Sequence, residues 1–577
     1  MNEKTSYKSK LQAFLLILLL TLGVFLPQST ELKSAGIAAP YRIGVVQKTA
    51  YGSVRGYKEG KALVWKGIPY AKPSVGELRW KAPQKPESWT GVKDATKDAP
   101  QSIQGVGAGA AGVEGGQFLN IFRPDNNKKG LPVFVYIHGG NNQFGSAAEL
   151  PGGKLAVATD AVIVPIQARL GLLGFITLPA LKTGDPLEDS GNYALLDFAA
   201  ALDWIRENIE AFGGDPNNIT ISGFSAGGRD VLALLISPIF KGKIHKAYSF
   251  SGGLTLSDVK DSQKVIARQL AKLVTEDRPE YSEEEAAKWL LGKGEDVREY
   301  LYGLSAERLE ALVKNAQIRM SGFPHLFKDG AVLPKEGFAT SKFNAIPAIL
   351  LASKSEFSLF AISDPYFADN VKEKKFLTDP TARKELEFAI KHGSLLYEYF
   401  NAEEAVKAVF KKYKAPLYTV DILWGTDKSI TGDEFATLYG AAHGIFRPFL
   451  SGENIGLAQQ FPAIFQNKGA QELTKTFQAY LKNFLHTGDP NGKGLPRWSK
   501  WRDSKEGPTQ LLLDADREKA IVRQRGKRIT YAEILKGIQA DNSVSPEAKK
   551  NIVTTVLNGR WFSKGLDKKY KNKNLWK

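Results

Sequence analysis

From about Tyr41 onward the chain alternates short apolar runs with longer amphipathic stretches. ALVWKGIPYA, LNIFRP, PVFVYIHGG and AVIVPIQAR have the length of strands, and Gly and Pro punctuate them. The last two are apolar on consecutive positions, the pattern of a strand covered on both faces. RIGVV predicts an earlier strand. ITISGFS, KAYSFSGG, PAILLAS, PLYTVDILW and QLLLD predict later ones, with QLLLD the last. Residues 192–212 carry apolar side chains at helical spacing and stop at Gly213-Gly214-Asp215-Pro216, a strong helix end. AGGRDVLALLISPIF predicts a second helix directly after ITISGFS. Residues 256–323 are charged and helix-like, and read as a helical insertion. This alternation predicts the α/β class: a large, mostly parallel central sheet with helices on both faces. No internal repeat or linker interrupts it, so one domain over residues 39–525 is expected from a chain of 577 residues.

Three segments stand outside that pattern. Residues 1–38 hold a basic start, the apolar run LQAFLLILLLTLGVFL and then a small-residue stretch, SAGIAA. The run falls short of the roughly 20 residues a spanning helix needs, so it reads as an export signal peptide. The protein is then secreted or periplasmic; an uncleaved N-terminal anchor is the competing reading. Residues 105–116 (GVGAGAAGVEGG) are nearly all Gly and Ala and predict a mobile loop. Residues 526–577 form a basic C-terminal extension, with six Lys against one Asp in residues 561–577. The plain reading is a solvated or loosely docked tail, and contact with an anionic surface is the alternative.

Composition narrows the chemistry. Hydrophobic residues at 43% and charged residues at 24% describe a folded globular chain and exclude a disordered or polytopic membrane protein. There is no cysteine, which removes disulfides, thiolate metal sites, iron–sulfur clusters and cysteine nucleophiles. The net charge of +17 accompanies no nucleic-acid-binding motif, so no nucleic-acid partner is expected. Only six histidines are available as bases: His138, His245, His325, His392, His443 and His486.

Gly223-Phe224-Ser225-Ala226-Gly227 is a G-x-S-x-G pentapeptide. The letters alone are weak, but Ser225 lies at the join of the ITISGF strand and a Leu-rich helix. Small neighbours let the backbone turn sharply there and lift the hydroxyl above the sheet. Ser225 is therefore read as a nucleophile, with a structural turn serine as the alternative. A serine hydroxyl needs a base oriented by an acid, and in this arrangement the chain order is serine, acid, histidine. His443, in the small-residue segment GAAHG, is the candidate base. His245 lies too close to the serine, and His392 and His486 sit in helices. Glu356 follows the PAILLAS strand at the edge where ligand chemistry collects, and is the candidate orienting acid. The alternative for it is a surface glutamate paired with Lys354.

These residues and their surroundings resemble the type-B carboxylesterase family of α/β-hydrolases, which includes the cholinesterases. The resemblance spans roughly residues 42–514 and rests on KGIPYAKPSVGELRWKAPQKPESW, FLNIFRP, ARLGLLGF, GNYALLDFAAALDWIRENIEAFGGDPNNITISGFSAGG, KSEFSLF, GAAHG and FLHTGDPN. It implies an α/β-hydrolase fold, Ser225, Glu356 and His443 at the triad positions, and Ser251 as support for the acid. It also implies an oxyanion hole from the backbone N–H groups of Gly140, Asn141 and Ala226. The text departs from the family at His138-Gly139-Gly140-Asn141-Asn142, where relatives have a third glycine and then an aromatic residue. Asparagine tolerates the left-handed backbone, so the hole is expected to be kept but reshaped, with His138 holding the loop. Phe224 stands where relatives usually have Glu. Ser102 and Gly116 stand where they have a disulfide pair, leaving the Gly/Ala loop untethered.

The expected function is that of an exported serine hydrolase of carboxylic esters acting through an acyl-enzyme, with a small ester as substrate and neither metal nor cofactor. The loss of the acid beside the serine favours neutral or anionic esters over cationic ones. Two alternatives remain at this level: an inactive carboxylesterase-like binding or adhesion module, and an amide or lactone hydrolase.

Overall fold

The computed structural model describes residues 36–572, apart from 108, 314, 315, 317, 320, 321, 505–508, 527 and 528. The signal peptide expected over residues 1–38 lies almost wholly outside the described residues. Among the described residues no helix is long and apolar enough to cross a membrane.

The strands of the central sheet are, in chain order, β1 (Tyr57–Glu59), β2 (Ala62–Pro69), β3 (Phe118–Pro124), β4 (Leu131–Ile137), β5 (Val162–Ile166), β6 (Gly214–Phe224), β7 (Lys246–Phe250), β8 (Ala348–Ser353), β9 (Leu417–Ile422), β10 (Gln510–Ala515) and β11 (Ala520–Arg525). They lie side by side as β11-β10-β9-β8-β7-β6-β4-β5-β3-β2-β1. From β4 and β5 through β10 every pairing is parallel, while β1, β2, β3 and β11 add antiparallel edges. The consecutive apolar residues of β4 explain why both faces are covered. Val133, Val135 and Ile137 point into one core, and Phe134 and Tyr136 into the other. Helix α1 (Tyr193–Asn208) buries Leu195, Leu202 and Ile205 on the first side. After β6, helix α2 (Ala226–Leu234) is buried throughout, and α3 (Val259–Asp277) opens the predicted insertion with Asp258 as its N-cap. Ile266, Leu270 and Val274 of α3 join the first core, so the insertion's charges mark only its outer face. Helix α4 (Pro380–Glu398) precedes β9, and α5 (Lys468–Thr487) packs Leu473, Phe477, Leu481 and Phe484 into the second core.

Four expectations need correction. QLLLD is not the last strand: β11 pairs with it antiparallel, and its half-exposed, polar AIVRQR text is what an edge strand carries. The RIGVV region contributes only Val46–Lys48, in a separate three-stranded sheet with Ser53–Arg55 and Val92–Asp94. The Gly/Ala segment is not an untethered loop. Gln104–Val106 and Gly109–Ala111 pair as a hairpin, and Ser102 Oγ donates to the carbonyls of Gly116 at 3.1 Å and Ala168 at 2.7 Å. Hydrogen bonds at Ser102 thus tie the two ends of this segment together and to the chain after β5.

The basic extension is the fourth. Its helix Tyr531–Ala540 and the following turns bury Ile552, Val553, Val556, Leu557, Phe562 and Leu566 completely, in one cluster with Phe357 and Tyr397. Its lysines concealed this: Lys564, Lys568 and Lys569 are exposed while the apolar residues between them face inward.

Candidate active site

Strand β6 runs into Ser225, whose φ of 56° and ψ of −113° lie outside the ordinary regions for an L-residue. The glycines of the pentapeptide are steric necessities. A Cβ on Gly223 would stand 2.4 Å from the carbonyl carbon of Gly227, and one on Gly227 would stand 2.3 Å from the oxygen of Ile137. Ser225 N–H donates to Phe250 O at 2.8 Å, fixing the turn to β7, and α2 begins at once with Ala226. The N–H groups of that first helical turn have no partner within the helix, which makes this end receptive to negative charge.

Glu356 follows β8 and is fully buried. Its Oε1 accepts from Ser353 N–H at 2.9 Å and from Ser251 Oγ at 2.5 Å, and its Oε2 accepts from His443 Nδ1 at 2.5 Å. Lys354 lies 3.8 Å from Glu398 instead, which disposes of the surface-pair alternative for Glu356. The His443 segment is stitched to the Glu356 segment: Ser355 pairs with Ala442 in an isolated bridge, and Ser355 N–H donates to Ala441 O at 2.9 Å. With Nδ1 committed to the carboxylate, Nε2 of the neutral ring is left as the acceptor. It is buried and makes no hydrogen bond among the described residues, so none joins it to Ser225 Oγ here. Such bonds are often long before substrate binds. The ring is held by Phe224 at 4.7 Å, Phe360 at 5.4 Å and Tyr397 at 5.4 Å between centroids.

The other five histidines are engaged elsewhere. His138, His325 and His486 bond the carbonyls of Gly139, Phe323 and Thr159. His245 accepts from Ile219 N–H, and His392 meets Asp541. Burial pushes His138 and His325 down from the usual imidazole value, His325 to about 3, so both stay neutral.

The loop after β4 packs directly on the serine turn: a Cβ at Gly139 would lie 2.8 Å from the Phe224 ring and 3.4 Å from Ser225 Cβ. Gly140, Asn141 and Asn142 have φ of 99°, 56° and 58°, so Asn141 adopts the left-handed backbone its position demands. His138 Nδ1 donates to Gly139 O at 2.8 Å within the same loop.

Several neighbours were not legible beforehand. Asn141 and Asn142 bond the side chains of Arg229 and Asp230 on α2. Trp561 and Phe562 of the extension stand 5.5 and 5.6 Å from Tyr397, itself against His443. Arg229 and Asp230 directly follow the pentapeptide, and two charged residues at the start of an otherwise apolar helix were the available signal. Nothing local in the sequence marks the tail as a partner of the site.

A serine on a sharp strand-to-helix turn at the C-terminal edge of a parallel sheet, with a buried acid–histidine pair beside it, defines an α/β-hydrolase. The Carboxylesterase family model matches residues 44–430. The chain is 32% identical over 498 residues to para-nitrobenzyl esterase of Bacillus subtilis (strain 168), covering 81% of this chain and 94% of that protein. It is 31% identical over 537 residues to liver carboxylesterase of Sus scrofa, covering 83% and 90%. A solved PNB esterase structure superposes with a TM-score of 0.63 at 28% identity, over 83% of this chain and 97% of that one. A Geobacillus stearothermophilus carboxylesterase gives 0.63 at 26% identity, over 83% and 98%. The chain belongs to the type-B carboxylesterase family, and it is a carboxylic ester hydrolase.

Proposed function

We propose that the protein is an exported serine carboxylesterase working through Ser225, His443 and Glu356. His443 Nε2 takes the proton of Ser225 Oγ as that oxygen attacks the ester carbonyl. Glu356 holds the ring and stabilises the imidazolium. The N–H groups of Gly140, Asn141 and Ala226 receive the oxyanion. The tetrahedral intermediate collapses with the proton passing from His443 to the departing alcohol, and water then cleaves the acyl-enzyme by the reverse sequence. The chemistry needs no metal or cofactor. The observation that carries this reading is the 2.5 Å Glu356–His443 contact, buried beside the serine turn. Export rests on the character of residues 1–38. Phe224, placed against the base, makes that wall apolar and favours neutral or anionic esters. The exposed lysines of the extension suit contact with an anionic surface, and salt-sensitive binding to anionic vesicles tests it.

The deciding experiment is turnover of short-chain aryl esters, with Ser225→Ala and His443→Ala as controls. Turnover lost in both variants supports the triad; turnover unchanged in either refutes it. The unmade Ser225–His443 bond favours a second reading, a folded binding module that turns nothing over. A wild type inert toward every ester in a panel of varied acyl length and charge would establish that reading.

A further inference from the structure

Two consecutive residues of the loop after β4 are tied to two consecutive residues of α2. Arg229 Nη2 donates to Asn141 Oδ1 at 2.6 Å, and Asn142 Nδ2 donates to Asp230 Oδ1 at 2.9 Å. Asn141 Nδ2 donates to Gln143 Oε1 at 2.7 Å, so its carboxamide is held at both ends. Both asparagines have positive φ, a conformation unfavourable to most L-residues, and their side-chain bonds help to hold it. All four residues are buried, with Arg229 2% and Asp230 0% exposed.

Arg229 is costly where it sits. Its guanidinium is out of water, Nη1 has no hydrogen-bond partner among the described residues, and burial pulls its pKa below the usual arginine value. A buried cation with an unpaired donor is a poor stabilising device, because well-packed apolar side chains do as well or better. What the arginine supplies is a rigid grip on one carboxamide, from the same helical turn that follows the nucleophile. Arg229 N–H bonds Ser225 O at 3.0 Å, so the helix gripping Asn141 is registered to Ser225 itself.

We propose that Arg229 is a positioning residue for ester hydrolysis, fixing the Asn141 carboxamide so that the Asn141 N–H faces the oxyanion formed at Ser225. This rests on the proposed role of Asn141 as an oxyanion donor. A glycine in that place reaches the left-handed backbone unaided, whereas an asparagine there is held in place by its side chain. The Asn141–Arg229 contact is therefore a matched pair.

The test is a double-mutant cycle with Asn141→Gly, Arg229→Met and the double variant. The readouts are kcat and KM for a p-nitrophenyl ester, normalised to sites titrated with a fluorophosphonate. Normalisation removes losses due to misfolded protein. Arg229→Met is expected to lower kcat per titrated site by about 10- to 100-fold with KM little changed, within the cost of losing one oxyanion donor. In the Asn141→Gly background the same change should cost under about 3-fold. Arg229→Lys, which keeps a donor, should recover part of the loss. The inhibition constant of a trifluoromethyl ketone should rise in proportion to the fall in kcat/KM. Equal effects of Arg229→Met in both backgrounds, or a normal kcat per titrated site, would overturn the inference. Should Arg229→Met not fold, Arg229→Lys in the two backgrounds still decides: a fall in kcat beside Asn141 that disappears beside Gly supports the inference, and an equal effect in both backgrounds, or none in either, contradicts it. A wild type that neither titrates nor turns over would instead refute the proposed function.

Discussion

His443 and Glu356 approach to 2.5 Å because the backbone segments bearing them are paired, through the bridge between Ser355 and Ala442. The contact is set by main-chain geometry, and the side chains complete it. Replacing Glu356 by Gln keeps the volume but offers an amide where His443 requires an anion. The expected loss in kcat is about 10⁴-fold, with fold and KM little affected. Ser251→Ala removes one of two bonds to Oε1 and leaves Ser353 N–H in place, so a loss of about 10-fold is expected. Steady-state kinetics on the two variants checks the ranking; an equal loss would place Ser251 in a different role.

The docked extension predicts an apolar penalty rather than an electrostatic one. Phe562 is fully buried and meets Phe357 at 6.0 Å and Tyr397 at 5.6 Å, behind the His443 ring. Phe562→Ala should destabilise the protein by about 3–5 kcal/mol and reduce activity, whereas neutralising exposed Lys564, Lys568 and Lys569 should leave the melting temperature almost unchanged. Thermal melts of the two variants separate these outcomes. A large effect from the lysines, with none from Phe562, would mean that the tail is not packed as described.

Asp230 supplies a pH signature. Burial pushes its carboxyl up from the usual range to about 7, against partial relief from Asn142 and Arg229. The folded-state value lies above the unfolded one, so folding favours the protonated form. Its contribution to stability is full below about pH 4 and is lost as pH rises toward 7. Asp230→Asn has no charge to bury and should flatten that part of the profile. Urea midpoints at pH 4.5, 6 and 7.5 test this: the variant should gain on the wild type as pH rises, and parallel profiles would contradict it.

The sheet was readable because strands covered on both faces write themselves as continuous apolar runs: β4 through β9 each overlap a predicted segment. Ser225 was readable because its glycines are forced by contacts under 2.5 Å. Glu356 and His443 could be singled out from chain order and the resemblance, and the structure brings that pair together. The edge strand β11 was missed because exposure on one side makes its text polar. The Arg229–Asn141 and Asn142–Asp230 bonds join positions 88 apart, and no local pattern encodes a contact of that range. The tail's docking was hidden for a related reason: its apolar residues have their partners on α4 and the Glu356 loop, and its lysines dominate the composition.

The proposed chemistry stands on Ser225 being an activated nucleophile. Intact-mass measurement after incubation with diisopropyl fluorophosphate, followed by peptide mapping, tests it most directly. One phosphoryl adduct per chain is expected, on Ser225, absent in Ser225→Ala and strongly slowed in His443→Ala. A folded wild type that acquires no adduct, or acquires it on another residue, would show that Ser225 is not the nucleophile.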